Sequence, residues 1–310
     1  MNTQQKLNEI VSKHLGKAGD GTIVKPYVTP TEIDKSLLVP VPRALNRIQY
    51  NIDDTTLPFV GADVWNAYEF SALTDNGFPV VGHVKCVYDC ASENIVESKS
   101  LKLYFNSFNM CKLGPTPNDV LNNATSIIQN DLREILGMSV QVHIFNGDID
   151  VQPLKGLFKN LDFSAQTDIE TVYNSYNENP ELLVSTVIPT EKVYTVHSAV
   201  LRSNCRVTNQ PDWGDVFIFM KTNHEIPDSS FLSYFVSMRN ENHFHEEICE
   251  CIYTRLSEKF NPSLLLVACL YTRRGGIDIN PVRASDISLI NNWASPLVDA
   301  HTYTQKTWRQ

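Results

Sequence analysis

LKLYFNSFN at 101–109 and FLSYFVSMR at 231–239 decide how this chain folds. Tyr104-Phe105 and Ser107 recur as Tyr234-Phe235 and Ser237, 130 residues further on. A single short match carries little weight, so the flanks must agree. After the first copy, Asn118-Asp119 can cap a helix whose apolar residues are Val120, Ala124, Ile127, Ile128, Leu132 and Ile135. Steps of three and four give one buried helical face. After the second copy, Phe244, Ile248, Ile252, Leu256 and Phe260 recur at every fourth position. Each helix leads into an apolar run, Val140 to Phe145 and Leu264 to Tyr271. Upstream, Trp65 to Leu73 and Val80 to Tyr88 flank the turn Thr74-Asp75-Asn76-Gly77, and Val193 to Leu201 and Val216 to Met220 answer them in the second half.

Each half therefore reads strand, strand, helix, helix, strand. That order predicts an α+β protein of two tandem modules, each an antiparallel sheet with two helices on one face. The expected boundaries are a first module over 1–150, a linker over 151–190 and a second module over 191–310. Residues 1–60, with several prolines, read as an irregular arm packed over the first module. Two related modules can build a pocket where they meet, each supplying different polar groups.

The 310 residues are 42% hydrophobic and 20% charged, with a net charge of -9 and no long basic block. That composition argues for a small-molecule enzyme and against a protein that grips nucleic-acid phosphates. No apolar run approaches the roughly 20 residues of a membrane span. The first residues lack the apolar stretch of a secretory signal. The seven cysteines include no Cys-x-x-Cys pair, so the expectation is reduced thiols in the cytoplasm.

Four segments could carry chemistry. In SNCRVTNQPDWGDV, Cys205 stands where a strand-like run gives way to turn-forming Asn204, Asn209, Pro211 and Gly214. Free thiols ionise near about 8.5 and need help to become nucleophiles. Asp212, beside Trp213, can be a desolvated, protonated acid, but sequence physics favours an Asp that stabilises a Pro-Asp-x-Gly turn. HFHEE (243–247) opens a helix. His245 and Glu246 project about 100° apart and can both line a pocket wall, where a carboxylate suits the N–H groups of a guanine-like base. A solvated acidic helix start is the plainer reading. His245 and Cys249 have i, i+4 spacing but no further ligands of a zinc signature, so no metal is expected. ESKS (97–100) places Ser98 as an N-cap with Lys99 and Lys102 nearby, a common arrangement that can hold a phosphate. YTRRGGIDINPVR (271–283) puts Arg273-Arg274 before two glycines, which suits an anion as well as an ordinary strand end and turn. There is no G-x-G-x-x-G fingerprint, so these rules do not call for a nicotinamide cofactor.

Together the segments resemble the two-domain 7-cyano-7-deazaguanine reductases. The resemblance runs through LGK (15–17), VPRALNR (41–47), LPFVGADVWNAYEFS (57–71), VESKSLKLYFNSFN (96–109), SNCRVTNQPDWGD (203–215), VSMRNENHFHEE (236–247) and YTRRGGIDINPVR. It implies a tunnelling fold, often a homodimer, and NADPH-dependent reduction of a nitrile to an aminomethyl group in queuosine biosynthesis. It implies Cys205 as the nucleophile that forms a thioimide and Asp212 as the proton donor. Val96, Glu97, Ser98, His245 and Glu246 match positions that hold the substrate base, and Ser98, Lys99, Arg274 and Gly275 match positions that bind NADPH. Met238 and the run Asn240-Glu241-Asn242-His243 depart from the usual pattern outside the residues given catalytic roles. A zinc cyclohydrolase would need a fuller metal set. An amidinotransferase-like relative would lack ESKS, and a non-enzymatic purine or pterin binder would not need Cys205.

Overall fold

The computed structural model describes residues 30–147, 149–154, 158–163, 170–206 and 209–310, so LGK (15–17) lies outside the described residues. In the first half, Val60–Leu73 (β1) and Pro79–Asp89 (β2) form a hairpin, followed by Ser98–Asn106 (α1), Pro117–Leu136 (α2) and Val140–Phe145 (β3). In the second half come Thr186–Ser198 (β4), Arg202–Cys205 (β5), Pro211–Glu225 (β6), Asp228–Ser237 (α3), His245–Phe260 (α4), Leu264–Tyr271 (β7) and Ile277–Ala284 (β8).

The repeat has a physical basis in buried serines. Ser107 and Ser237 donate to the Tyr104 and Tyr234 carbonyls at 2.6 and 2.7 Å. Each also accepts a backbone N–H from an upstream segment, Asp34 at 3.1 Å and Asn179 at 3.3 Å. Ser100 and Ser230, again 130 apart, accept the N–H groups of Val39 and Val184 at 3.1 and 2.9 Å. These buried hydroxyls pair with backbone donors of the upstream segments, the Val39 N–H being buried as well. The first helix of each half therefore anchors the chain that leads into it. At the matching N-cap positions stand Glu97 for α1 and Pro227 for α3.

The α2 cap is Thr116 rather than Asn118-Asp119. Its Oγ1 accepts the Asp119 N–H at 3.3 Å, and the Asp119 carboxylate takes the Thr116 N–H at 3.1 Å. Pro117 sits in the first turn, where its missing N–H costs nothing. The run read as ending at Leu201 breaks after Ser198, and β5 begins at Arg202. Pro211 and Gly214, read as turn formers, lie within β6. Pro211 opens the strand, and Gly214 faces the Tyr271 ring, which a Cβ would approach to 3.1 Å.

A larger difference concerns the sheet. Its strands lie in the order β4–β6–β7–β8–β1–β2–β3, each neighbouring pair antiparallel. The segment read as a strand end and turn contains a whole strand, β8, whose residues Ile277–Ala284 pair with Ala67–Val60. The two halves thus share one sheet. No apolar periodicity revealed β8, because IDINPVRA is interrupted by buried Asp278, Asn280 and Arg283. One face packs on the helices in two clusters, around Trp65, Tyr104 and Ile128 and around Ile218, Tyr234 and Ile252. The other face, with Val64, Leu266 and Val282, packs against Leu289, Ile290 and Leu297 of the C-terminal turns.

The described part of the arm contacts both halves. Pro40–Pro42 pairs with Asn94–Val96 in the first. Tyr50 joins the core of the second, and the Tyr253 hydroxyl donates to the Pro58 carbonyl at 3.1 Å. Among the described residues, no helix is long and apolar enough to cross a membrane, and all seven cysteines are free thiols.

Candidate active site

The N-termini of α1 and α4, one from each half, open into the same cavity of about 380 Å³. Its walls include Val96, Glu97, Ser98 and Lys99 from the first half. From the second come Cys205, Asp212, His245, Glu246, Arg274 and Gly275. All ten residues to which the family resemblance gives a role therefore line one space, within the usual size range of small-molecule sites. Trp65, Ile277 and Ile279 supply apolar wall from the shared seam.

The β5–β6 hairpin presents the thiol and the carboxylate. Asp212 pairs with Ser203, and Cys205 lies two residues on, so strand alternation sends Cys205 and Asp212 to one face. Arg202 and Trp213 face the other way, with the guanidinium 5.8 Å from the indole ring. Cys205 closes the hairpin, its N–H donating to the Gln210 carbonyl at 2.8 Å. Trp213 therefore lies on the opposite face from Asp212, whose neighbours are Arg274 and His245 instead. Arg274 Nη1 donates to Asp212 Oδ1 at 2.5 Å, and His245 Nε2 lies 3.4 Å from Oδ2. Burial pushes the Asp212 carboxyl up, but His245 and Arg274 outweigh it and hold the group below its ordinary value. The Arg274 guanidinium is pulled down by burial and raised further by Asp212 and Cys205. His245 stacks on Tyr271 at 3.9 Å between centroids.

Glu97, not Ser98, is the N-cap of α1. Its carboxylate accepts the N–H groups of Lys99 and Ser100 at 2.9 and 2.7 Å. Burial raises its pKa despite these bonds. Glu246, 3% exposed, is pushed up to about 7 by burial and by Asp63, with His245 and Arg43 opposing. Its Oε1 has no hydrogen-bond partner among the described residues. A buried acceptor left open is costly unless a ligand supplies the donor. Arg273 points away from the cavity, over the Tyr68 ring at 4.3 Å. Cys249 turns into the core, its thiol 3.6 Å from the Val267 and Pro281 carbonyls, away from a shared ligand position with His245.

The family model described as nitrile reductase, 7-cyano-7-deazaguanine-reductase N-term matches residues 29–144, and the QueF-like protein model matches 211–288. A Colwellia psychrerythraea protein named NADPH-dependent 7-cyano-7-deazaguanine reductase is 38% identical, covering 83% of this chain and 88% of that one. The chain belongs to this nitrile reductase family. A Legionella pneumophila relative of the same name is 41% identical over 80% of this chain and 84% of its own. Among solved structures, an apo archaeosine synthase QueF-Like covers 31% of this chain and 93% of its own, at 16% identity and a TM-score of 0.27.

The cavity also holds residues that the sequence reading left without a role. Lys102, named from the sequence only as positive charge near the α1 start, also lines it and pairs with Glu69 at 3.0 Å. Gln210, immediately before β6, lines the cavity too and accepts from Arg274 Nη2 at 2.6 Å. His243 and Phe244 complete the mouth of α4.

Proposed function

We propose that this chain is an NADPH-dependent oxidoreductase that reduces the nitrile of 7-cyano-7-deazaguanine to the aminomethyl group, a four-electron step in queuosine biosynthesis. The observation that carries the reading is the convergence of Cys205, Asp212, Glu97, Glu246, Lys99 and Arg274 on one cavity. Each half is read as a tunnelling-fold module, over 1–150 and 191–310 with a linker at 151–190, and the active assembly as a cytoplasmic homodimer acting on the free base.

Glu246 accepts N–H groups of the base through its open oxygen, and Glu97 offers its remaining lone pairs from the opposite helix. Asp212 is held as a carboxylate, so it first takes the Cys205 proton. The sulfur then adds to the nitrile carbon, and Asp212 returns the proton to nitrogen, leaving a neutral thioimide. Arg274 and His245 keep the carboxylate aimed throughout. The cationic side of the cavity, with Lys99, Lys102 and Arg274 beside Ser98 and the bare backbone of Gly275, has the donor set for NADPH phosphates. Bound there, NADPH supplies hydride, two equivalents for the full reduction. When sulfur leaves as thiolate, the imine keeps the first proton, and a solvent proton relayed by Asp212 restores the Cys205 thiol. A second solvent proton completes the amine after the second hydride, and the cavity walls limit hydrolysis of the imine.

Incubation with the nitrile base alone, followed by mass spectrometry of the intact chain, tests the covalent step. The wild type should gain one base and Cys205→Ala none. NADPH should then be consumed at two equivalents per amine formed. An adduct that survives in Cys205→Ala sinks the mechanism, and an adduct without NADPH consumption favours the amidinotransferase-like reading.

A further inference from the structure

Beneath the cavity lies a group of charges that this reaction does not use. Arg43 and Arg47 come from the arm, Asp63 from β1, Glu250 from α4 and Arg283 from β8, none more than 3% exposed. Arg283 Nη1 donates to Asp63 Oδ1 at 2.8 Å, and its Nε and Nη2 reach Glu250 Oε1 at 3.0 and 2.8 Å. Arg47 holds both Glu250 oxygens at 3.0 and 2.7 Å. Arg43 pairs with Asp63 Oδ2 and is fixed by Ser92 Oγ at 3.1 and 3.0 Å. Burying this many ions is tolerated only where they are mutually paired.

Glu246 stands one helical turn before Glu250, on the same face of α4. The network therefore begins directly under the carboxylate whose Oε1 is open. The groups facing Glu246 are Asp63 from β1, Arg43 from the arm, His245 on its own helix and Tyr88 from β2. Asp63 opposes its ionisation and Arg43 favours it.

We infer that Arg43 and Asp63 are positioning residues for Glu246, a buried pair that sets whether the cavity carboxylate is charged when the base arrives. The inference rests on Glu246 holding the base as proposed above. It gives the arm a part in substrate recognition although Arg43 does not line the cavity.

Binding of 7-cyano-7-deazaguanine is measured calorimetrically on the full chain carrying Cys205→Ala, so that no adduct forms, from about pH 5.5 to 9. Adding Arg43→Gln should move the pH midpoint of binding up by about one unit. Adding Asp63→Asn should move it down by a similar amount, and Arg43→Lys should keep it within a few tenths of the parent. A purely structural role would weaken binding in both variants without opposite midpoint shifts, and that result overturns the inference. If Arg43→Gln does not fold by circular dichroism, Asp63→Asn decides alone, and an unmoved or raised midpoint is fatal. Glu246→Gln should bind weakly, with the pH dependence gone. If it binds as tightly as the parent, the assignment of Glu246 to the base fails, and the inference falls with it.

Discussion

Replacing Arg274 by Gln should expose how Asp212 is kept ready to take a proton. The guanidinium meets Asp212 at 2.5 Å, and without it His245, at 3.4 Å, is left to offset the burial that pushes the carboxyl up. An adjacent opposite charge moves a carboxylate by about 1–3 pH units. The Arg274 side chain is 32% exposed, so solvent screens the pair and the lower end, about one unit, is expected. Asp212, held below its ordinary value in the wild type, then titrates at higher pH. A step that needs the carboxylate is present above that value and lost as pH falls through it, so raising the value moves the loss to higher pH. The assay is the rate of adduct formation at saturating base without NADPH, which removes any cofactor contact of Arg274 from the result. The variant should match wild type within about twofold at pH 7.5 and fall increasingly below it in acid, by no more than about tenfold for a shift of about one unit. Parallel profiles, or a uniform drop at every pH, would refute the reasoning.

Other perturbations report on the scaffold. Burial pulls the His243 imidazole down, but Glu241 and Glu247, at 3.2 and 3.3 Å, outweigh it and raise the group to about 9. Its charged form contributes fully below the unfolded value near 6.5, and the contribution is lost as pH rises through 9. The stability gap between wild type and His243→Gln should therefore shrink from a ceiling of roughly 3 kcal/mol near pH 6 to little at about pH 10 in denaturant titrations. A constant gap would contradict this. Gly276, at φ 77°, would place a Cβ 2.5 Å from Glu69 Cδ, so Gly276→Ala should disturb the Arg274 turn and raise the NADPH KM about tenfold. An unchanged KM argues against that turn holding the cofactor. Thr116→Ala should cost about 1 kcal/mol, read as a melting point a few degrees lower, with turnover untouched.

Periodicity exposed what is repeated and half-buried, which is why the two helix pairs and the β1–β2 hairpin were legible in the sequence. It failed at β8, where charged and amide side chains are buried in pairs instead of facing solvent. It also missed the start of β6, where Pro211 and Gly214 were taken for turn chemistry. Ten cavity residues were named because family motifs placed them there, and spacing alone left Asp212 as a turn residue. The partners of Asp212 were not legible, since His245 and Arg274 lie 33 and 62 residues away in the chain and only the fold brings them together. Arg43 and Asp63 were invisible as a pair for the same reason.

The duplicated framework has a stoichiometric consequence. Where α1 opens with Glu97, α3 opens with Pro227. Registering the helices on their caps, Thr116 and Phe244, sets Pro117 and Asn118 where α4 carries His245 and Glu246. The mirrored location thus has the serine anchors without the carboxylates, so the symmetry extends to the scaffold alone. Each polypeptide should titrate as a single catalytic equivalent, and the vacated positions are free to drift without touching turnover.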